Sequence, residues 1–310
     1  MSIINNRTEL LFLYEIENAN PNGDPLNENR PRFDVEEGKA IVSDVRLKRS
    51  IRDYWYAYKG YDGSGEKDIF VRETNYDDKG KSFVSTGKRR AEKFRKDKKT
   101  SKEEHAQHIL DRCIDIRVFG GVIPLQNDSI TLTGPTQFQM GKSLHQTSIM
   151  TEQGTGAFAS ADGKKQVTLR TEYKLPYALI GFNGIVNEKA AIYSQMTEAD
   201  HALLLEGIWE GTKNLISRSK FGQTPLLLLA IQYKEPFYIG NLRQRLQLNS
   251  GNEVKIRSTK DYRVDVSQLL DALQEHQSKI QSIDLHLDNR LQCTRGEDSI
   301  DLKKVLDEIA

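Results

Sequence analysis

Residues 20–52 read NPNGDPLNENRPRFDVEEGKAIVSDVRLKRSIR, and this stretch decides how the chain is read. It follows a short apolar run, Leu10 to Tyr14, that predicts a buried strand. Pro21, Gly23, Pro25 and Pro31 then keep the backbone out of regular structure. Ser43 is a good N-cap and Asp44 complements the dipole of the helix it opens. On that helix Leu47, Ile51, Tyr54 and Tyr58 form one apolar stripe. Arg46, Lys48, Arg49 and Arg52 cover much of the opposite side. A strand, a rigid polar loop and a basic helix start suit a phosphate backbone better than a small neutral substrate.

The chain has 310 residues and a formal net charge of +1, so net charge argues neither for nor against nucleic acid. Local charge is more telling: from Lys88 to Lys102 there are nine basic residues against two acidic ones. Cys113 and Cys293 are far apart and form no metal-type pair, which fits a reducing compartment. MSIINNRTEL lacks the apolar core of a signal peptide, and the longest apolar run, Leu226 to Ile231, is far too short to span a bilayer. A cytoplasmic protein with no membrane partner is expected.

Further along, residues 60–104 read as a polar insertion with turns and a solvated basic segment. Residues 104–113 read as a helix, IDIRVFGG as a short strand, and ITLTGPTQFQM as a long strand with a Gly-Pro break. Residues 150–166 are small and Gly-rich, as in a protruding hairpin. LPYALIGFNGIV returns as a strand. Thr197 and Asp200 predict a capping box opening a helix to about Ser217. PLLLLAIQY is a strand covered on both faces or lying mid-sheet. VKIRST reads as a strand, DVSQLLDALQEH as a helix and SIDLHLD as a strand. The order gives an α+β chain of the ferredoxin-like or RNA-recognition type, with an open antiparallel sheet on helices.

Catalytic and metal chemistry finds little support. Asn18 to Gly23 imitates a calcium loop, but it has no acidic first ligand and Asn29 stands at the twelfth position. No metal or other cofactor is expected. His105 and His108 read as surface histidines. Asp24 and Asp34 sit in the first loop as paired carboxylates or, more commonly, turn caps. The chain has no GxSxG motif and no Walker loop. Short polar signatures recur at Gln137, Gln139, Ser143 and His145, and at Ser217, Arg218 and Ser219.

NPNGDP, PRFD and SDVRLKRSIRD, followed in order by DIRVFGG, TGPTQFQMGKS, LPYALIGFNG and SRSKFG, resemble the backbone subunit of type I CRISPR effector complexes. This is the Cas-seven superfamily, and the likeness is greatest to its type I-B branch. The resemblance covers roughly residues 9–235 and is weak or absent in 60–104 and after 240. It implies a non-catalytic subunit with a modified RNA-recognition palm, helical fingers and a β-hairpin thumb, polymerised along a CRISPR guide RNA (crRNA). The guide then pairs with a target DNA strand, and protein reads only backbone.

The implied division is 1–59 as the first half of the palm, 60–113 as fingers and 114–149 as palm strands. Residues 150–172 are the thumb, 173–240 the second half of the palm, and 241–310 a C-terminal extension of palm and fingers. Arg46, Lys48, Arg49 and Arg52 would hold guide phosphates, with Asn22 and Ser43 supporting the backbone. Gln137, Gln139 and Ser143 match the RNA-facing palm strand, and Ser217, Arg218 and Ser219 the serine-arginine loop. Met150 and Phe158 are candidate thumb wedges between bases. Implied partners are crRNA, target DNA, further copies of the chain, the large and small subunits, the subunit capping the crRNA 5′ end and the crRNA-processing endonuclease. The rival readings are a type III-like backbone ribonuclease cutting target RNA with Asp24 or Asp34, and an RNA-binding module that does not polymerise.

Overall fold

A computed structural model describes residues 2–97, 99–155 and 169–309. Along the chain run β1 (Thr8–Ala19), β2 (Lys39–Val42), α1 (Asp44–Tyr58), β3 (Asn75–Asp78), β4 (Lys81–Val84), α2 (Gly87–Glu92), α3 (Lys102–Arg112) and α4 (Ile114–Phe119). Then follow β5 (Gly120–Pro124), β6 (Ser129–Thr133), β7 (Thr136–Phe138), β8 (Gly141–Ser143), β9 (Met150–Thr155) and β10 (Leu169–Val186). The C-terminal part holds α5 (Glu198–Lys213), β11 (Gln223–Tyr233), α6 (Ser267–Glu275), β12 (Ile280–Leu287) and α7 (Leu302–Ile309).

The central sheet is antiparallel and runs β12-β11-β1-β10-β8-β2. Its middle strand, β1, pairs with β10 from Thr8↔Val186 to Ala19↔Leu175 and with β11 from Thr8↔Gln232 to Ile16↔Gln223. Both faces of this strand are buried. Leu10, Phe12, Tyr14 and Ile16 point into a core shared with Leu47, Ile51 and Trp55 of α1 and Leu204 and Ile208 of α5. Leu11 and Leu13 point into a second core with Tyr262, Leu269, Leu270, Leu302 and Leu306 of the C-terminal segment. That is why LLFLY and PLLLLAIQY are continuous apolar runs rather than alternating ones. It also corrects the expected open sheet: residues beyond 240 close the face that an isolated RNA-recognition sheet leaves to solvent.

Helix α1 is seated by its neighbour α5 at two glycines. A Cβ on Gly211 would lie 2.8 Å from the Ser50 carbonyl oxygen, and one on Gly207 would lie 2.8 Å from Ile51 Cγ2. Glycines four apart let the two helices approach backbone to side chain. Trp55 fills the gap, fully buried, and its Nε1 donates to the Leu203 carbonyl at 2.9 Å. Tyr58, expected on the apolar stripe, is exposed, because Trp55 occupies the inward position of the last turn.

The insertion is more ordered than its composition suggests. Phe70, Ala91, Phe94, Ile109, Cys113, Ile116, Ile123 and Ile130 form a separate small core. Arg90, expected on a solvated segment, is buried; it pairs with Asp68 at 2.7 Å and donates to the Ile69 carbonyl at 2.7 Å. His105 is likewise buried, its Nε2 2.9 Å from the Ala91 carbonyl. IDIRVF is the helix α4, not a strand. Ile114 and Val118, four apart, face the sheet-side core, while Ile116 faces the insertion core. The expected long strand at 130–140 is broken by Gly134 and Pro135 into β6, paired with β5, and β7, paired with β10. VKIRST contributes only 3₁₀ turns, at Glu253–Lys255 and from Thr259. Both cysteines are free and buried. No helix among the described residues is long and apolar enough to cross a membrane.

Candidate nucleic-acid interface

The opening loop is stitched to the start of α1. Ser43 takes an extended conformation, and its Oγ accepts the Arg46 N–H at 3.3 Å. The Asn22 Oδ1 accepts the Ser43 N–H at 2.8 Å, so the loop fixes the cap that fixes the helix. Asn20 reaches two segments: its Nδ2 donates to the Asn29 carbonyl at 2.7 Å and its N–H to the Ser219 carbonyl at 2.8 Å. The Ser217–Ser219 loop is brought against β1 by Gly222. There φ is +103°, and a Cβ would lie 2.3 Å from the Glu17 carbonyl oxygen.

Two cations converge where these segments meet. The Arg46 Nε and Nη2 are buried and have no hydrogen-bond partner among the described residues. Burial holds its pKa below the ordinary guanidinium value, partly offset by Tyr14 and Asp53. Lys220 lies close enough to feel the Arg46 charge, and its Nζ donates to the Asn20 carbonyl. Burial first, then Arg46, brings the Lys220 pKa down to about 8. The Asn20 Oδ1 beside them is also buried, without a partner among the described residues. Buried charge is costly unless paired, and an anion is the kind of group that would satisfy this constellation.

The other helix bases are already neutralised. Lys48 pairs with Asp44 at 3.0 Å, and Arg49 holds Asp53 through two contacts of 2.7 and 2.9 Å. Arg52 turns inward onto Asp115 at 3.0 Å, with its guanidinium 5.0 Å from the centre of the Phe119 ring. Asp115 is fully buried and also accepts the Phe70 N–H at 2.7 Å and the Val71 N–H at 3.0 Å. Arg52 therefore joins α1 to the insertion, and the expected continuous basic face is narrower by that residue.

Gln137 and Gln139 are exposed at the sheet edge. Gln137 lies 3.5 Å from Lys48 Nζ, and Gln139 accepts from Asn183 Nδ2 at 3.1 Å. With Tyr238 and Asn241 they line a hollow of about 260 Å³. Ser217, Arg218 and Ser219 line another, of about 420 Å³, with Asn20, Asn29 and Tyr173. Arg218 is exposed, and its Nε is 3.1 Å from Glu172. Ser143 is buried instead: its Oγ accepts the Ala40 N–H at 3.1 Å and donates to the His145 carbonyl at 2.7 Å. Met150 is half-buried at the start of β9, opposite Lys174. Phe158 lies outside the described residues.

Sequence reasoning thus placed Asn22, Ser43 and Arg46 in one site but missed Lys220 and Asn20. Lys220 is the fourth residue of SRSKFG, two places after Arg218, and nothing in the local pattern marks it apart from a surface lysine. Asp24 accepts the Leu26 N–H at 3.2 Å and Asp34 the Glu37 N–H at 3.1 Å, the ordinary turn contacts of aspartates. Lys142 lies 3.1 Å from Asp34. No group of three or more His, Cys, Asp or Glu side chains able to hold a metal ion occurs among the described residues.

Comparison with known proteins gives a consistent answer. The family profile described as "CRISPR-associated protein Cas7" matches residues 6–267. A protein of Haloferax volcanii described in the same words is 31% identical over 95% of this chain and 91% of its own. A chain of a solved "CRISPR RNA-guided surveillance complex, pre-nicking" covers 98% of this chain and 99% of its own, with a TM-score of 0.55 at 11% identity. A chain of another "CRISPR RNA-guided surveillance complex" reaches a TM-score of 0.52 at 13% identity, covering 98% of each. At those identities the structural likeness is one of fold.

Proposed function

The chain belongs to the Cas7 family of CRISPR-associated proteins, and from that premise we propose that it is a guide-RNA-binding backbone subunit of a type I surveillance complex. Copies polymerise along crRNA and present it for pairing with target DNA. The observation that carries this reading is the pair of half-buried cations, Arg46 and Lys220, beside an Asn20 Oδ1 that has no partner among the described residues. A guide phosphate supplies the missing anion: Arg46 forks onto its oxygens, Lys220 adds a point charge, and Ser43 and Asn22 hold the helix start in place. Lys48 and Gln137 extend the track along the sheet edge, and Arg218 extends it across the Ser217–Ser219 loop. None of these groups reads a base, so one site serves every guide.

The wider reading follows the family. The sheet with α1 and α5 is the palm, a modified RNA-recognition fold, the insertion is the fingers, and residues 150–172 are the thumb. Met150 and Phe158 remain the wedge candidates. The partners are crRNA, target DNA, neighbouring copies, the large and small subunits, the 5′-capping subunit and the processing endonuclease. We assign the type I-B branch and a cytoplasmic location on the same resemblance. The subunit is non-catalytic; the turn contacts made by Asp24 and Asp34 favour this over the ribonuclease reading.

The test is to mix the protein with guide RNAs of increasing length and measure the mass of the product. Copy number should rise stepwise with length. A single copy on a long guide refutes the filament. In the same assembly, regularly spaced cuts in complementary RNA with Mg²⁺, lost on Asp24→Ala or Asp34→Ala, would refute the non-catalytic assignment.

A further inference from the structure

The insertion carries a second surface that the guide site does not use. Strands β3 and β4 form a hairpin in which Tyr76 and Phe83 are a cross-strand pair with stacked rings, centroids 5.6 Å apart. The Arg89 guanidinium lies over the Tyr76 ring at 3.6 Å from its centre. Phe83 and Val84 are nonetheless exposed, at 45% and 61% of their full area. The ring pair therefore ends in solvent rather than in a core. Arg89 also lines a groove of about 840 Å³ with Thr86, Lys88, Glu92, Arg95 and Gln126. Aromatic faces and a cationic groove meet at one residue.

The hairpin carries Asp77 and Asp78 against Lys79 and Lys81, and the basic excess lies behind it: Lys88, Arg89, Lys93, Arg95 and Lys96 come with Glu92 as the one carboxylate between residues 79 and 96, and Glu92 lies 3.6 Å from Arg95. A protein partner of ordinary surface would be repelled as often as attracted. A polyanion with flat, unstacked faces matches both halves of the patch: phosphates for the lysines, bases for the rings. We infer that this hairpin and the groove behind it bind single-stranded nucleic acid without regard to sequence, at a site separate from the guide. The bases stack on the Phe83–Tyr76 pair, and Arg89 and Lys88 hold the phosphates.

The inference stands apart from the guide reading and is tested apart from it. The protein is loaded with guide RNA, and binding of a fluorescent 20-mer of deoxythymidine, not complementary to the guide, is followed by anisotropy. Tyr76→Ala with Phe83→Ala should weaken this binding at least fivefold, and Lys88→Ala with Arg89→Ala should weaken it and flatten its salt dependence. The same variants should load guide RNA as the parent does, whereas Arg46→Met should weaken guide loading and leave 20-mer binding to the fraction that has loaded unchanged. Should no guide load at all, the 20-mer comparison is made on guide-free protein carrying Arg46→Met. An abasic 20-mer should bind weakly. A duplex of equal length should bind no better, because its bases are already stacked. Equal binding of the abasic strand or preference for the duplex overturns the stacking role. Unchanged 20-mer binding in both double variants overturns the site. Tyr76→Phe, which keeps both rings, should bind the 20-mer as the parent does; a loss equal to that of the ring-deleted double variant overturns the stacking role.

Discussion

Raising the pH from 7 to 9 should weaken guide binding about tenfold through one side chain. In the free protein Lys220 has its pKa brought down to about 8 by burial and by Arg46. The unfolded chain keeps that proton to about 10.4. Between these values the unfolded state binds more protons than the folded one, so stability of the free protein rises with pH through that window. A phosphate between Arg46 and Lys220 reverses the bias and returns the lysine pKa toward its ordinary value. At pH 7 nearly every free molecule is already protonated there; at pH 9 about one in ten is. Each pH unit above 8 therefore costs binding about 1.4 kcal/mol, and binding at pH 9 takes up close to one proton per copy. The assay is anisotropy of a labelled oligoadenylate, whose bases do not titrate in this range, at constant ionic strength. Lys220→Arg keeps its charge throughout and should bind with a flat profile; Lys220→Met should be weak and flat. A flat wild-type profile, or the same fall in the arginine variant, would refute the reasoning.

Arg46→Met keeps the stem but removes the unpaired charge. It should weaken RNA binding about ten- to a hundredfold, equally for all sequences, and raise the thermal midpoint of the free protein, as calorimetry would show. Lys48→Ala with Arg49→Ala should weaken guide binding uniformly but by less than Arg46→Met, since both bases already hold carboxylates; a larger loss in the same anisotropy assay would contradict this. Asp115→Asn leaves Arg52 unmatched and should cost roughly 3–5 kcal/mol in denaturant unfolding. Gly211→Ala pushes a Cβ to 2.8 Å from the Ser50 carbonyl and should cost about 1–3 kcal/mol, with a matching fall in RNA affinity if α1 shifts.

Where burial is total, the sequence spoke clearly. β1 and β11 read as continuous apolar runs because both their faces are covered, and Ser43 read as a cap because the backbone N–H it accepts is three residues on. The sequence misled where one element serves two cores. Ile114, Ile116 and Val118 alternate like a strand, yet the alternation arises because a short helix is sandwiched, with Ile114 and Val118 on one side and Ile116 on the other. Charge was legible and its fate was not. Arg46, Lys48, Arg49 and Arg52 look alike in one dimension, and only the fold gives three of them carboxylates and leaves the fourth without one among the described residues. Lys220 was hidden for the same reason, since its partner in the site is 174 residues away in sequence.

The small core around Phe70, Phe94 and Ile109 shares no buried residue with the two cores that flank the sheet. Its polar tie to α1 is Arg52 on Asp115, reinforced by the backbone donors of Phe70 and Val71. Arg117 on Asp200 adds a tie from α4 to α5, and the unit should nonetheless open on its own. Amide protons of α2 and α3 should exchange through a subglobal opening well below the free energy that guards β1, and Asp115→Asn should lower the protection of the insertion while leaving the amides of β1 and β11 nearly untouched. On the proposed guide-bound array, each copy would then have a half that keeps register along the RNA and a half that opens without loosening its neighbours.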